Sequence, residues 1–158
     1  MARPREIRRL AFQALFQLDA HGGEVASLEA SCGEAEGLEA RDVRKACELA
    51  RAAYEARKAA DEEMERLAPG WPAHRQPAVD RSILRLAHHE MTSGKTAPKV
   101  VVNEAVELAK EFGTEKSPAF VNGLLDKVLK RLLRERGAES AADPSGQHAA
   151  ESPDEEAT

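Results

Sequence analysis

The chain has 158 residues, of which 42% are hydrophobic, 32% charged and 4% aromatic, with a formal net charge of −5. That balance describes one globular domain with a real core and excludes collagen-like, disulfide-rich and membrane-spanning classes. The negative charge is local: residues 137–158 hold Glu139, Asp143, Glu151, Asp154, Glu155 and Glu156 and no Lys or Arg, so the body keeps 22 of the 28 acids against 23 cations. A near-neutral body can still present a basic patch, and patches rather than totals attract phosphates.

Ala, Leu, Glu, Arg and Lys dominate, and alternating β-branched runs are missing, so the chain reads as all-α. The first helix is expected over residues 5–20, ended by His21-Gly22-Gly23, where Gly22 or Gly23 takes the left-handed cap. A weaker helical segment covers 24–35. One long helix follows over 39–67, with Val43, Ala46, Cys47, Ala50, Ala53 and Tyr54 on one face. Ala68-Pro69-Gly70-Trp71-Pro72 is the clearest internal boundary. The next helix spans 77–92 and stops at Ser93-Gly94. Pro98 opens another that reaches Phe112, with Gly113 as its cap. Ser117 as N-cap and Pro118 at the first helical position open the last helix, which Gly137 is expected to end. Residues 1–136 thus form the helical domain, and 137–158 form an acidic tail whose composition predicts disorder. Cys32 and Cys47 match no metal or redox spacing and read as two buried, reduced thiols. The start, MARPREIRRL, lacks the apolar run of a secretory signal, so the expected location is cytoplasmic.

Chemistry concentrates on the first helix. At about 100° per residue, Ile7, Leu10, Ala11, Ala14, Leu15 and Leu18 form a core sector. Arg5, Arg9, Phe12 and Phe16 form the opposite one, with Arg8 and Gln13 at its borders. Guanidinium forks bind phosphates, and aromatic rings stack on unpaired bases, so this face suits RNA. It equally suits a second helix packing on Phe12 and Phe16, with the arginines as a solvated flank. The last helix carries Lys127, Lys130, Arg131 and Arg134 as a basic stripe, which a helix C-terminus favours in any case. Catalytic signals are weak. Glu104, Glu107 and Glu111 share a face but have no Glu-x-x-His beside them. His88 and His89 are adjacent and point about 100° apart, too far for one metal. No phosphate-loop, dinucleotide, nucleophile-elbow or zinc-protease string occurs.

Three blocks carry a resemblance: VDRSILRLAHHEM (79–91), VVNEAVELAKEFG (101–113) and SPAFVNGLLDKVL (117–129). With RRLAFQALFQLD (8–19) matching more weakly, the chain resembles the NusB family of bacterial transcription antitermination factors over about residues 5–134. The resemblance implies an all-α fold of two small helical bundles packed together. It implies a partner, the tenth protein of the small ribosomal subunit. With it, the family binds boxA-type RNA of nascent ribosomal transcripts and helps the RNA polymerase antitermination complex read through terminators. It implies no cofactor, no metal and no reaction, and it leaves monomer and homodimer both open.

By the same resemblance, Arg5, Arg8, Arg9 and Gln13 on the first helix, and Phe120, Asn122 and Lys127 on the last, would bind RNA. Phe16 and Asp80 would contact the ribosomal protein, while Phe12 has no assignment. Gly123 fits close helix packing as well as it fits an RNA surface. Several positions depart from the family pattern. Pro4, Glu6 and Ile7 interrupt the arginine run, Ala119 stands where a cation is common, and Phe16 and His89 each replace a commoner Tyr. The acidic tail is expected to solubilise the protein or mildly oppose RNA binding. Two alternatives remain: an accessory domain working with a separate ribosomal RNA methyltransferase, and a structural adaptor without RNA contact.

Overall fold

The computed structural model describes residues 4–25, 27–32 and 38–142. These form α1 (Pro4–Ala20), α2 (Leu28–Cys32), α3 (Ala40–Glu55), α4 (Arg57–Leu67), a 3-10 turn (Ala73–Arg75), α5 (Ala78–Ser93), α6 (Pro98–Phe112) and α7 (Ser117–Ala142), with no strand among the described residues. α1, α2 and α3 pack on one another, and α4 to α7 make a second group. α1 and α3 both lie against α5, which joins the two groups through one continuous apolar core. That core runs from Leu10, Leu15 and Leu18 through Ile83, Leu84 and Leu86 to Val101, Val121 and Leu125.

The first stop signal works as its sequence suggests. Gly22 and Gly23 both take positive φ, 64° and 87°. The Gly23 amide donates to the Leu18 carbonyl at 2.7 Å. A Cβ on Gly23 would come within 2.7 Å of the Tyr54 ring, so this turn also needs glycine for the approach of α3.

Four details differ from the sequence expectation. The helix expected over 39–67 is two helices, because the chain turns at Ala56, whose amide donates to Ala52. Arg57 supports the turn, with its guanidinium over the Tyr54 ring at 3.9 Å and Nη1 donating to the Tyr54 carbonyl at 2.8 Å. Re-aiming α4 lets Ala60, Glu63 and Met64 bury while Asp61 reaches Arg85 on α5. Second, Ser117 is the first residue of α7 and not its cap. The Thr114 amide donates to Ser117 Oγ (3.0 Å) and Thr114 Oγ1 accepts from the Lys116 amide (3.3 Å), so side chains of the turn satisfy amides ahead of the helix. Third, Gly113 does end α6, but with extended backbone; a Cβ there would meet the Ser117 side chain, so close approach, not a left-handed turn, requires glycine. Fourth, α7 runs through Gly137 to Ala142, because good helix formers surround an exposed glycine that costs only about 1 kcal/mol in a helix interior. Residues 143–158 of the expected tail lie outside the described residues.

Cys32 and Cys47 are free and buried at the α2–α3 contact. Burial pushes the Cys47 thiol up to about 12, which keeps it protonated. No described helix is long and apolar enough to cross a membrane.

Candidate nucleic-acid interface

α1 carries most of the expected site, and its arginines turn out to be ion-paired. Arg5 grips Glu104 on α6 through Nε (2.9 Å) and Nη2 (2.8 Å). Arg9 pairs with Glu111 on α6 and lies over the Phe112 ring, 5.5 Å from its centroid. Arg8 points elsewhere, its Nε donating to both oxygens of Glu90 on α5 at 2.9 and 3.1 Å. Exposure separates the three. The side chains of Arg5 and Arg9 are 66% and 52% exposed, whereas that of Arg8 is 11% exposed. Guanidinium offers five donors, so Arg5 and Arg9 keep N–H groups for an outside anion while paired. Arg8 is enclosed with its carboxylate. The Arg5 fork holds the Glu104 carboxyl below the usual carboxylate range.

Gln13 is exposed one turn beyond Arg9. Phe12 is not part of the outward face. It is buried against Phe112 with ring centroids 4.8 Å apart, so the packing alternative holds for this residue. Phe16 lies tilted against Phe12 (centroids 6.3 Å, ring planes at 45°) yet stays 37% exposed. One turn on, Asp19 accepts from Arg81 (2.6 Å) and Arg85 (2.9 Å), which fastens the end of α1 to α5. Burial alone would push Asp19 up, but these two guanidinium groups outweigh it and hold the carboxyl low. Asp80, next to Arg81 in the first turn of α5, is only 5% exposed, and its Oδ1 has no hydrogen-bond partner among the described residues.

The α7 candidates do not form one face. Phe120 is half-buried against the core, while Asn122 is exposed. The two point about 160° apart around the helix. Lys127 shares the stripe of Phe120 two turns on, but its Nζ donates to the Leu67 carbonyl at the end of α4 (3.3 Å). Two more members of the basic stripe are also engaged, Lys130 with Asp126 and Arg131 with Glu63 and Glu135, while Arg134 is exposed.

Sequence reasoning missed the counter-ions. Glu104 and Glu111 were legible as an acidic stripe on α6, but nothing local shows that the stripe faces α1. It also missed a buried polar cluster joining α4, α5 and α7. There Glu63 accepts from His88 Nε2 (2.8 Å) and from both Nε and Nη2 of Arg131. Among the described residues, no group of three or more His, Cys, Asp or Glu is arranged to hold a metal ion.

Residues 5–130 match the NusB family. A protein of Symbiobacterium thermophilum named transcription antitermination protein NusB is 40% identical over 146 residues, covering 87% of this chain and 95% of the relative. Among solved structures, NusB of T. maritima is 36% identical with a TM-score of 0.70, covering 82% of this chain and 93% of that one. A chain from the crystal structure of the antitermination factors NusB and NusE in complex with dsRNA is 26% identical with a TM-score of 0.69, covering 80% and 96%.

Proposed function

The chain belongs to the NusB family, and on that premise we propose that it is a transcription antitermination factor. It binds boxA-type RNA of nascent ribosomal transcripts jointly with a ribosomal protein of the NusE kind, and so promotes read-through by RNA polymerase. It works in the cytoplasm, by binding and not by catalysis. The observation that supports this most is the division of labour on α1. Exposed Arg5 and Arg9 present guanidinium donors at its start, and exposed Phe16 presents a ring two turns later. The first pair suits a phosphate backbone, and the second suits an apolar anchor on a protein.

Within this proposal Arg5, Arg9 and Gln13 contact RNA, and exposed Asn122 extends the surface from the start of α7, while half-buried Phe120 packs on the core. Arg8 is a positioning residue, because its ion pair with Glu90 fixes the start of α1 on α5. Lys127 stays with the end of α4. Phe16 meets the ribosomal protein, whereas Asp80, only 5% exposed, is too covered to touch it directly.

The doubly substituted Arg5→Ala/Arg9→Ala protein is expected to bind boxA-type RNA more weakly. Its plot of log affinity against log salt should flatten by about 0.7 for each lost single-strand phosphate contact. Fluorescence anisotropy at four salt concentrations reads both quantities. A slope equal to that of the unsubstituted protein contradicts the assignment.

A further inference from the structure

We infer that Glu104 and Glu111 on α6 attenuate the RNA affinity of α1, because they occupy guanidinium donors that phosphates would otherwise take. The inference rests on the proposed RNA role of Arg5 and Arg9. Glu104 takes the Nε/Nη2 edge of Arg5 with two bonds, at 2.9 and 2.8 Å, the geometry by which a fork binds a phosphate. Glu111, two helical turns further along α6, pairs with Arg9 through a single Nη2–Oε2 contact. The two arginines and two glutamates sum to zero charge.

RNA therefore meets a pre-neutralised surface. A phosphate must displace a carboxylate or settle for the donors left over. The phosphate contribution is shared by every RNA, so the cancellation lowers affinity for all of them by a similar factor and leaves the ratio between two RNAs unchanged. Glu104 and Glu111 thus attenuate RNA binding by the chain. Glu90 is a different case: its side chain and that of Arg8 are 10% and 11% exposed, which leaves a phosphate little access to the pair.

The test compares the full chain with Glu111→Gln, Glu104→Gln and the double variant. Two probes are titrated at several salt concentrations, a boxA-type RNA and an unrelated single strand of equal length. Glutamine keeps shape and removes charge, and the Glu111 side chain is 43% exposed, so Glu111→Gln is expected to fold normally, with thermal unfolding as the check. Each substitution should tighten binding of the unrelated RNA roughly two- to fivefold at low salt, the range spanned by an exposed ion pair. The boxA-type RNA should tighten by a similar factor, and the salt dependence of both should steepen. Unchanged affinity, or tightening confined to one of the two RNAs, overturns the inference. Weaker binding overturns it as well, because the acids would then be orienting the arginines for RNA. In parallel, Arg5→Ala/Arg9→Ala separates the two levels. If that protein binds RNA as well as the unsubstituted one, the RNA role of α1 fails; if it binds worse while the glutamines change nothing, only the present inference fails.

Discussion

Replacing Glu63 by glutamine is expected to destabilise the protein by about 3 kcal/mol, the lower end for breaking a buried ion pair by removing one partner. Glu63 is buried and accepts from His88 Nε2 and from the Arg131 fork, which joins α4 to α5 and α7. A glutamine carries one carbonyl oxygen where the carboxylate offered two, and its own N–H groups then face donors. Arg131 softens the loss, since it is partly exposed and keeps Glu135 as a partner. His88, which is buried, has no such relief. Denaturant unfolding measures the difference. Substituting all three residues by apolar ones of similar size should recover much of it, because a well-packed apolar replacement of a buried ionic cluster is often neutral.

The same position predicts an acid dependence. Burial pushes the Glu63 carboxyl up, but hydrogen bonds from Arg131 and His88 outweigh it and hold it below its ordinary value. A carboxyl lowered in the folded state contributes stability that is fully present above its unfolded pKa, about 4.3, and is lost as pH falls through the folded value. The gap between the parent and Glu63→Gln should therefore be widest near neutral pH and narrow steadily below about pH 4.3. A gap independent of pH would show that the carboxylate is not the source of the stability.

Phe16→Asp is expected to abolish pairing with the ribosomal protein while leaving the fold intact. Phe16 is one of the few large apolar side chains exposed among the described residues, and its neighbour Phe12 is held by Phe112 from below. An anchor of this kind contributes 2 kcal/mol or more, so truncating it alone weakens a complex by about 30-fold. A carboxylate buried in the same contact adds a desolvation penalty, and the combined loss should exceed about 100-fold. Isothermal titration calorimetry with the purified ribosomal protein reads the loss, and circular dichroism confirms the helices. Pairing of undiminished strength would remove Phe16 from the interface.

Helix positions were legible wherever the apolar period and the stop residues agreed. α1, α5 and α6 follow from Leu10–Leu15–Leu18, from Gly94 and from Pro98, all local signals. Where the sequence misled, distant partners decided the outcome. Nothing in the residues around Ala56 breaks a helix; the turn exists because Met64 and Glu63 must bury while Arg57 holds Tyr54. Gly137 looks like a stop, but exposed glycine among strong helix formers is only a small penalty. Phe12 and Phe16 are indistinguishable by period, and only Phe112, a hundred residues away, buries one and spares the other. The arginines were readable as a cluster. Their three counter-ions, Glu90, Glu104 and Glu111, lie on two other helices, so the sequence shows the charges without showing that they are paired.

Pairing also sets what the protein does alone. With Arg5 and Arg9 neutralised in place, the unpartnered chain should hold RNA weakly, and the ribosomal protein should supply the missing contacts. The most direct measurement is an anisotropy titration of a boxA-type RNA with the chain alone, with the ribosomal protein alone, and with both. Binding by the pair at least tenfold tighter than by either component, and lost in Arg5→Ala/Arg9→Ala, is the result expected. No binding by the pair, or binding indifferent to Arg5 and Arg9, would contradict the account.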